Sequence, residues 1–289
     1  MTLDEHRRAY AEQIAAAARI ETPGLKEAFA AVPREAFLPP GPWLVVAEGQ
    51  QPRQTPDDDP RHVYENVSAA IDPARQLFNG APAFLARMID QLQLREGSRV
   101  VHVGAGTGYY SAIMAHVVGP TGSVLAIEID DALAAGARVN LGSLSWVSVQ
   151  CSPGDDLSTV ARAEVDAIVV NAGVTHPLDA WLDALAPGGR LLLPLTVALP
   201  GMGPLGKGVV VVINRTSDGA GFSAGVLSFV AIYSAIGLRD HGIEASLGQA
   251  LRRTSFPNLT QLRRDPHDSS PDCWLHAERF CLSMARTSA

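Results

Sequence analysis

Three glycines and a downstream carboxylate are the residues of this sequence best suited to hold a nucleotide-like ligand. Gly104, Gly106 and Gly108 stand at alternate positions in "VVHVGAGTGYYSA", between an apolar strand-like run and a helix-like segment. Glycines let the chain turn sharply and let a ligand approach the backbone at the amino end of a helix. Glu128 follows about twenty residues later, at the end of the next strand-like run, where a carboxylate accepts hydrogen bonds from two ribose hydroxyls. The pattern predicts a ligand that carries a ribose.

The residue after the third glycine helps to distinguish between cofactors. A dinucleotide-binding fingerprint requires its third glycine one place later, and Tyr109 stands there. A tyrosine at that place would crowd a pyrophosphate against the start of the helix. The sequence therefore disfavours a nicotinamide-dependent oxidoreductase, although this alternative stays open. A second alternative is a binding module that holds a cofactor without catalysis.

The glycine loop lies within an alternation of strands and helices. Residues 3–31 are Ala-rich with helical spacing interrupted by Pro23-Gly24, which predicts two short helices that form an N-terminal cap. A further helix is predicted over residues 82–92, because its apolar side chains share one face. Between residues 99 and 198, strands that are apolar on both faces alternate with helices, which is typical of a parallel sheet between helical layers.

The last third of the chain departs from this alternation. Two strand-like runs within residues 208–238, joined by a turn that contains Gly and Ser, predict an antiparallel hairpin. Residues 239–289 are less patterned, and we expect an extension with a helix near residues 243–253 and a last strand at "HAERFCLSM".

Composition excludes several classes of protein. The 289 residues are 47% hydrophobic and 18% charged, and the scattered Lys and Arg within a net charge of −7 give no basic stripe for a nucleic-acid backbone. The N-terminus lacks the apolar core of a signal peptide, and the run "AGVLSFVAIYSAIGL" is too short to span a bilayer. Cys151, Cys273 and Cys281 have neither metal-ligand nor redox spacing, and their odd number argues against a disulfide framework. We expect a cytoplasmic protein with no metal, no membrane partner and no nucleic-acid partner.

Several motifs in order give a family resemblance over residues 32–238. "VVHVGAGTGYYSAIMAHVVGPTGSVLAIEID" resembles the first two binding motifs of S-adenosylmethionine-dependent methyltransferases, in particular the protein-L-isoaspartate O-methyltransferase family. That family also has the counterparts of "VPREAFLP" at residues 32–39, of Tyr64-Glu65, of Gly154-Asp155 and of "PGGRLLLP" at residues 187–194. The resemblance implies an α/β, Rossmann-like class I methyltransferase fold. We expect a mostly parallel seven-stranded sheet with an antiparallel terminal hairpin.

The resemblance also implies which residues hold the cofactor and its product, S-adenosyl-L-homocysteine. Gly104, Ala105 and Gly106 would lie near its methionine part, Glu128 would bind the ribose, and Asp155 would accept from the adenine amino group, with Asp156 as the competing choice. The full set of expected cofactor-binding residues is Val103, Gly104, Ala105, Gly106, Gly108, Tyr109, Glu128, Ile129, Gly154, Asp155, Asp156 and Asn171.

The acceptor side departs from the family at one residue. The family has a Ser-x-Pro sequence before the helix that starts near Pro82, and Gly80 stands in the place of that serine. A carboxylate acceptor is already ionised at neutral pH, whereas a hydroxyl or an amine needs a base. His176 follows the fourth strand and is the candidate base for such an acceptor, and Tyr64 and Asn79 are the other candidate catalytic residues.

The sequence thus predicts a methyltransferase that acts on a carboxylate of a peptide, a protein or a small molecule. The alternative is a methyltransferase for a hydroxyl or an amine of a small natural product, with His176 as base. The expected domains are an N-terminal cap and substrate-side loop (1–81), a cofactor-binding domain (82–238) and a C-terminal extension (239–289). A homodimer is an open alternative to a monomer.

Overall fold

The computed structural model describes residues 1–199, 201 and 203–285. In this part of the chain, the α-helices are α1 (Leu3–Ala18), α2 (Leu25–Ala31), α3 (Pro82–Asp90), α4 (Tyr109–Val118), α5 (Asp131–Leu141), α6 (Asp179–Ala184) and α7 (His241–Arg253). The strands are β1 (Leu44–Val46), β2 (Arg53–Gln54), β3 (Ser68–Asp72), β4 (Leu77–Phe78), β5 (Arg99–Val103), β6 (Ser123–Glu128), β7 (Val147–Cys151), β8 (Val165–Val170), β9 (Leu185–Ala198), β10 (Leu205–Arg215), β11 (Phe222–Tyr233), β12 (Gln261–Arg263), β13 (Cys273–Ala277) and β14 (Phe280–Ser283).

The chain divides into two compact units. The first takes Met1–Arg99 and Ala105–Cys151, and the second takes Val100–Gly104 and the described residues from Ser152 onward. None of the helices in the described part of the chain combines the length and the apolarity that a membrane crossing requires.

Helices α1 to α5 and two groups of strands build the first unit. A capping box between Thr2 and Glu5 starts α1, and the two predicted N-terminal helices are confirmed. Pro82 opens α3, which buries Leu85, Met88 and Ile89 as predicted and ends two residues earlier than expected. Strands β2, β1, β3 and β4 form a small antiparallel sheet in that order, and β6 pairs with β7 in parallel.

The second unit is built on a sheet of eight described strands. β8 pairs in parallel with β5 and β9, and the order then continues through β10, β11, β12, β14 and β13 with antiparallel pairs only. The long β10–β11 pair confirms the expected terminal hairpin. The sheet differs in detail from the expectation of seven mostly parallel strands, because residues 261–283 add three strands to its antiparallel side. The helix expected near residues 243–253 is α7. The single strand expected at residues 276–284 is instead divided by a turn at residues 278–279, which joins β13 to β14.

Candidate active site

Glu128 is the buried carboxylate that the sequence predicts as a ribose ligand. One of its oxygens accepts from the amide of Gly106 at 2.8 Å and the other from the amide of Asp130 at 3.0 Å, while the side chain is largely buried at the end of β6. An ionised carboxylate offers about four lone-pair positions, so these two bonds leave about two for a ligand. The chemistry of the site therefore fits a ligand that offers a pair of hydroxyls.

The glycine loop before α4 has a backbone that requires glycine. Gly106 and Gly108 have φ values of +58° and +95°, in the left-handed region that L side chains rarely adopt. A Cβ atom on Gly108 would lie 2.8 Å from the Cδ1 atom of Leu141. The loop is tied down by the amide of Ala105, which donates to the carbonyl of Ile127 at 3.1 Å. The bare backbone of residues 105–108 is thus compatible with close approach of a ligand.

Two neighbours of this loop, Tyr109 and Ile129, have very different surroundings. The ring of Tyr109 is buried in an aromatic cluster with Tyr10 and Phe29, so its side chain belongs to the core of the first unit. Ile129 follows Glu128 and is 38% exposed, which gives an apolar surface next to the carboxylate. A planar apolar ligand group can pack on such a surface, whereas Tyr109 can offer a ligand only its backbone.

In the second unit, the end of β5 meets the end of β8. The amide of Asn171 donates to the carbonyl of Val103 at 2.8 Å, which continues the pairing of these strands by one residue. Gly104 follows with a φ of +77°, and a Cβ atom on it would lie 3.3 Å from the carbonyl oxygen of Asn171. The structure thus brings Val103, Gly104 and Asn171 together at the carboxyl ends of two parallel strands, where α/β folds bind their ligands.

The turn at residues 154–156 separates the two candidate aspartates. Gly154 is buried, and its carbonyl accepts from the indole nitrogen of Trp181 at 2.8 Å. Asp156 accepts from the amide of Ser158 at 3.2 Å and from its hydroxyl at 2.7 Å, as a turn residue does. Asp155 is exposed, so its carboxylate is accessible to a ligand.

Tyr64 lies in a polar network of the first unit. Its hydroxyl accepts from Nε of Arg7 at 2.9 Å and from the amide of Arg34 at 3.1 Å, and it donates to the carboxylate of Glu35. Burial and the nearby Glu35 carboxylate raise the pKa of Tyr64 well above its usual range. A phenol that keeps its proton is a poor base, so this geometry favours a structural part for Tyr64.

Arg34, within the "VPREAFLP" motif, is a buried cation that its residue type alone does not single out. Its side chain is fully buried, and its guanidinium donates to the carbonyls of Val63 at 2.6 Å, Glu65 at 3.2 Å and Val67 at 2.5 Å. It also donates to Oδ1 of Asn79 at 3.2 Å. A buried charge is tolerated only with such partners, so Arg34 fixes residues 63–67 and the side chain of Asn79.

Asn79 is held on one side only. Its Oδ1 atom accepts from Arg34 and, at 3.0 Å, from the amide of Ala69, which defines the orientation of the side-chain amide. The Nδ2 atom is buried and has no hydrogen-bond partner among the described residues. Gly80 follows with a φ of +80°, and its carbonyl accepts from the hydroxyl of Tyr110 at 3.3 Å. The residue before Gly80 therefore carries a fixed, unused donor.

His176 lies within the second unit against the C-terminal strands. Its Nδ1 atom is 2.8 Å from the hydroxyl of Thr175, and its ring stacks on Phe280 of β14 with 6.0 Å between centroids. Burial lowers the pKa of His176, so the imidazole is neutral at neutral pH. No local pattern predicts this stacking, because Phe280 is about a hundred residues away along the chain.

The three cysteines lie in two different places. Cys151 lies in the first unit at 3.0 Å from a carboxylate oxygen of Asp131. In the second unit, Cys273 and Cys281 lie together with His267 and His276, and the ligand atoms of these four residues are within 4.8 Å of one another. The spacing along the sequence does not indicate this cluster, because folding brings together residues that follow no known ligand spacing.

Comparisons with known proteins agree with the family that the motifs indicate. The family model described as protein-L-isoaspartate(D-aspartate) O-methyltransferase matches residues 6–200. A protein-L-isoaspartate O-methyltransferase of Ignicoccus hospitalis is 31% identical over 195 residues, which are 67% of this chain and 83% of that protein. One of Methanothrix thermoacetophila is 34% identical over 170 residues, 58% of this chain and 72% of that protein.

Solved structures show the same fold. A protein-L-isoaspartate O-methyltransferase superposes with a TM-score of 0.58 at 20% identity, over 86% of this chain and 68% of that one. A Plasmodium falciparum protein described as a putative protein-L-isoaspartate O-methyltransferase in complex with S-adenosyl-L-homocysteine gives a TM-score of 0.57 at 17% identity, over 79% and 97%. The expected Rossmann-like class I methyltransferase fold is thereby confirmed. By its motifs, its fold and the match of its family model, the chain belongs to the protein-L-isoaspartate(D-aspartate) O-methyltransferase family of S-adenosylmethionine-dependent methyltransferases.

Proposed function

We propose that this chain methylates the carboxylate of an isoaspartyl residue in peptides or proteins, and that Asn79 binds this carboxylate where the family uses a hydroxyl. When bound, S-adenosylmethionine supplies an electrophilic methyl group on a sulfonium. The protein must then hold the acceptor oxygen in line with it, and most of the rate enhancement comes from this alignment. A carboxylate is ionised at neutral pH, so no residue has to remove a proton.

The unpartnered Nδ2 atom of Asn79 carries this proposal. A buried donor without an acceptor costs about 1–3 kcal/mol, so a ligand that supplies an acceptor gains that free energy on binding. The donor belongs to the residue directly before Gly80, and Gly80 stands where the family has its serine. Because Arg34 and the amide of Ala69 fix the Oδ1 atom, the donor is held in one orientation before the acceptor arrives. An anionic oxygen is the acceptor that such a donor binds best.

The cofactor roles follow the geometry of each residue. In the first unit, the lone pairs of Glu128 that the backbone leaves unused would accept from the ribose hydroxyls, and Ile129 would pack on the base. In the second unit, exposed Asp155 would accept from the adenine amino group, whereas Asp156 holds its own turn. Gly104 and Gly106 would let the methionine part approach the backbone.

His176 has no proton-transfer role in this reaction. Its neutral ring would suit a base for a hydroxyl or an amine acceptor, but the family does not favour that alternative. With a carboxylate acceptor we expect His176→Asn to keep the turnover of wild type, whereas removal of a true general base costs about a hundredfold or more.

The test uses Asn79→Asp with an isoaspartyl peptide and methyl-labelled cofactor. Aspartate keeps the oxygen that accepts from Arg34 and Ala69 and removes only the donor, so the fold is retained. We expect kcat/KM to fall by about 10- to 150-fold, the value of a hydrogen bond to a charged group. The exposed Asn258→Asp makes the same change of charge elsewhere and serves as the control.

Two results separate the parts of the proposal. If wild type methylates the peptide and Asn79→Asp does so equally well, the role of Asn79 is refuted. If wild type binds S-adenosylhomocysteine but methylates an isoaspartyl peptide no faster than the matched aspartyl peptide, the isoaspartyl acceptor is refuted.

We also infer a cytoplasmic location, supported by the three cysteines, all of which are free thiols. Cell fractionation tests it, and recovery of the protein in an oxidising compartment would contradict it. The domain boundaries after residues 81 and 238, the peptide or protein partner and the choice between monomer and homodimer stay predictions.

A further inference from the structure

Two cysteines and two histidines converge in the C-terminal part of the second unit. His267 lies in the loop between β12 and β13, Cys273 and His276 lie on β13, and Cys281 lies on β14. Their ligand atoms are all within 4.8 Å of one another, and the Sγ atom of Cys273 is 3.8 Å from Nε2 of His267. Nothing in the proposed methyl transfer uses these four side chains.

The local strand geometry explains how they meet. His276 and Cys281 are direct partners across the β13–β14 pair, so their side chains lie on the same face. Cys273 is three residues before His276 and would point to the opposite face of a regular strand. The pairing register shifts between Cys273 and Leu275, and such an irregularity redirects the side chain before it. The strand is thus built to place both residues on one side.

The surroundings of the two histidines match those of metal ligands. Nδ1 of His267 is 2.8 Å from the carbonyl oxygen of Asp265 and donates to it, which leaves a lone pair on the Nε2 atom that faces Cys273. Metal-bound histidines usually donate their other ring nitrogen to a carbonyl or a carboxylate in this way. The Nδ1 atom of His276 is buried and has no partner among the described residues. A bound cation would give that nitrogen its missing partner.

The sulfur ligands are shielded and held. Cys281 is fully buried and Cys273 is 5% exposed. The amide of Ser270 donates to the Sγ atom of Cys273 at 3.4 Å, and such a bond stabilises a thiolate. Two thiolates and two imidazoles form a soft donor set, which favours Zn²⁺ over magnesium or calcium.

We propose that His267, Cys273, His276 and Cys281 bind one Zn²⁺ ion in a tetrahedral, structural site. Zinc binds sulfur at about 2.3 Å and nitrogen at about 2.0–2.1 Å, which places tetrahedral ligand atoms about 3.4–3.8 Å apart. The observed separations require only a small contraction to reach these values. Four protein ligands leave no open position for water, so the ion stabilises the fold and takes no part in chemistry. On binding, the two thiols release their protons to solvent.

A zinc ion at this site would hold in place the β13–β14 hairpin, on which His176 packs. The ion would join the loop after β12 to both strands of the hairpin, and Phe280, the neighbour of Cys281, stacks on His176. The same segment is attached to α6 by ion pairs from Arg264 and Arg279 to Asp179. This inference is independent of the proposed acceptor, because it concerns only the stability of the second unit.

Zinc content of the purified protein tests the proposal. Expressed with added zinc and kept reduced, wild type should contain one zinc per chain by mass spectrometry of the metal. The double variant Cys273→Ser/Cys281→Ser should lose it, as should His267→Ala. Cys151→Ser and His241→Ala are the matched controls and should keep it, because Cys151 lies outside the cluster and the side chain of His241 is fully exposed.

A second measurement covers the case in which the variants fail to fold. Wild type stripped of metal by a chelator and reloaded with Co²⁺ should show the visible absorption of tetrahedral, thiolate-bound cobalt. Wild type that holds no zinc and gives no such spectrum overturns the proposal. So does zinc that remains in the double variant, or an intact mass that is lower by two hydrogens, which would mean a disulfide between Cys273 and Cys281.

Discussion

Replacement of Glu128 by glutamine measures how far cofactor binding depends on one carboxylate. Glutamine keeps the shape and one oxygen, but its amide group turns one acceptor into a donor. That donor would face the amide of Gly106 or of Asp130, each of which now donates to Glu128. A buried amide left without an acceptor costs about 1–3 kcal/mol, so the free energy of unfolding should fall by that amount. Denaturation by urea measures it.

Glu128→Gln should also weaken cofactor binding, by more than its lower stability alone would cause. A hydrogen bond from a ribose hydroxyl to a charged acceptor contributes about 1.5–3 kcal/mol, and its loss raises the Kd for S-adenosylhomocysteine about 10- to 150-fold. Isothermal titration calorimetry on the folded variant measures this, with the exposed Glu48→Gln as control. If the variant is folded and its Kd stays within about twofold of wild type, Glu128 does not hold the ribose and the reasoning from its lone pairs fails.

Three further predictions concern stability, measured by urea denaturation. Gly154→Ala should lower the free energy of unfolding by about 1–3 kcal/mol, since its Cβ atom would lie 2.4 Å from a methyl group of Val103. Gly136→Ala in α5 meets nothing within 4 Å and should raise the free energy of unfolding by about 0.5–1 kcal/mol. Equal effects of the two substitutions would refute the packing argument. Arg34→Met should lower the free energy of unfolding by about 3 kcal/mol or more, because three carbonyls lose the guanidinium that donates to them. A smaller decrease would mean that water takes the place of the guanidinium. Burial lowers the pKa of His102 to about 4. Below about pH 6.5 the unfolded chain therefore binds one more proton than the folded chain, so the free energy of unfolding should fall by about 3 kcal/mol as the pH drops from 6.5 to 4. His102→Gln should lack this pH dependence. If the variant keeps it, the pH dependence comes from other groups.

Local patterns predicted the parts of the fold that local physics determines. The apolar face of α3 and its opening proline gave that helix to within two residues. The sequence predicted that Gly108 is needed for the conformational freedom of its backbone. The structure adds a second reason, because Leu141 leaves no room for a side chain at this position. The alternation of strands and helices indicated a parallel sheet between helical layers, and the family resemblance of the motifs implied the Rossmann-like fold.

Long-range features could not be read in the same way. The four proposed zinc ligands meet because of an irregularity in β13 and the path of the loop before it. Neither feature can be recognised from the spacing of the residues along the sequence. The unused donor of Asn79 depends on Arg34, which binds the oxygen of the same amide from 45 residues away along the chain. For the acceptor side, the sequence supplied the residue types and the structure supplied their hydrogen-bond partners.

The order of strands in the second unit also bears on how the chain leaves the ribosome. β11 gains its outer neighbour only at Phe222 and Ser223, which pair with β12, and β12 in turn pairs with β14 near the end of the chain. Until the residues after Leu259 have been synthesised, the end of β11 at Phe222 and Ser223 therefore lacks its outer neighbour. Unpaired edges of this kind promote association between nascent chains. Chains that stop before β12 would therefore expose this stretch of strand edge and be more prone to aggregate than the whole chain.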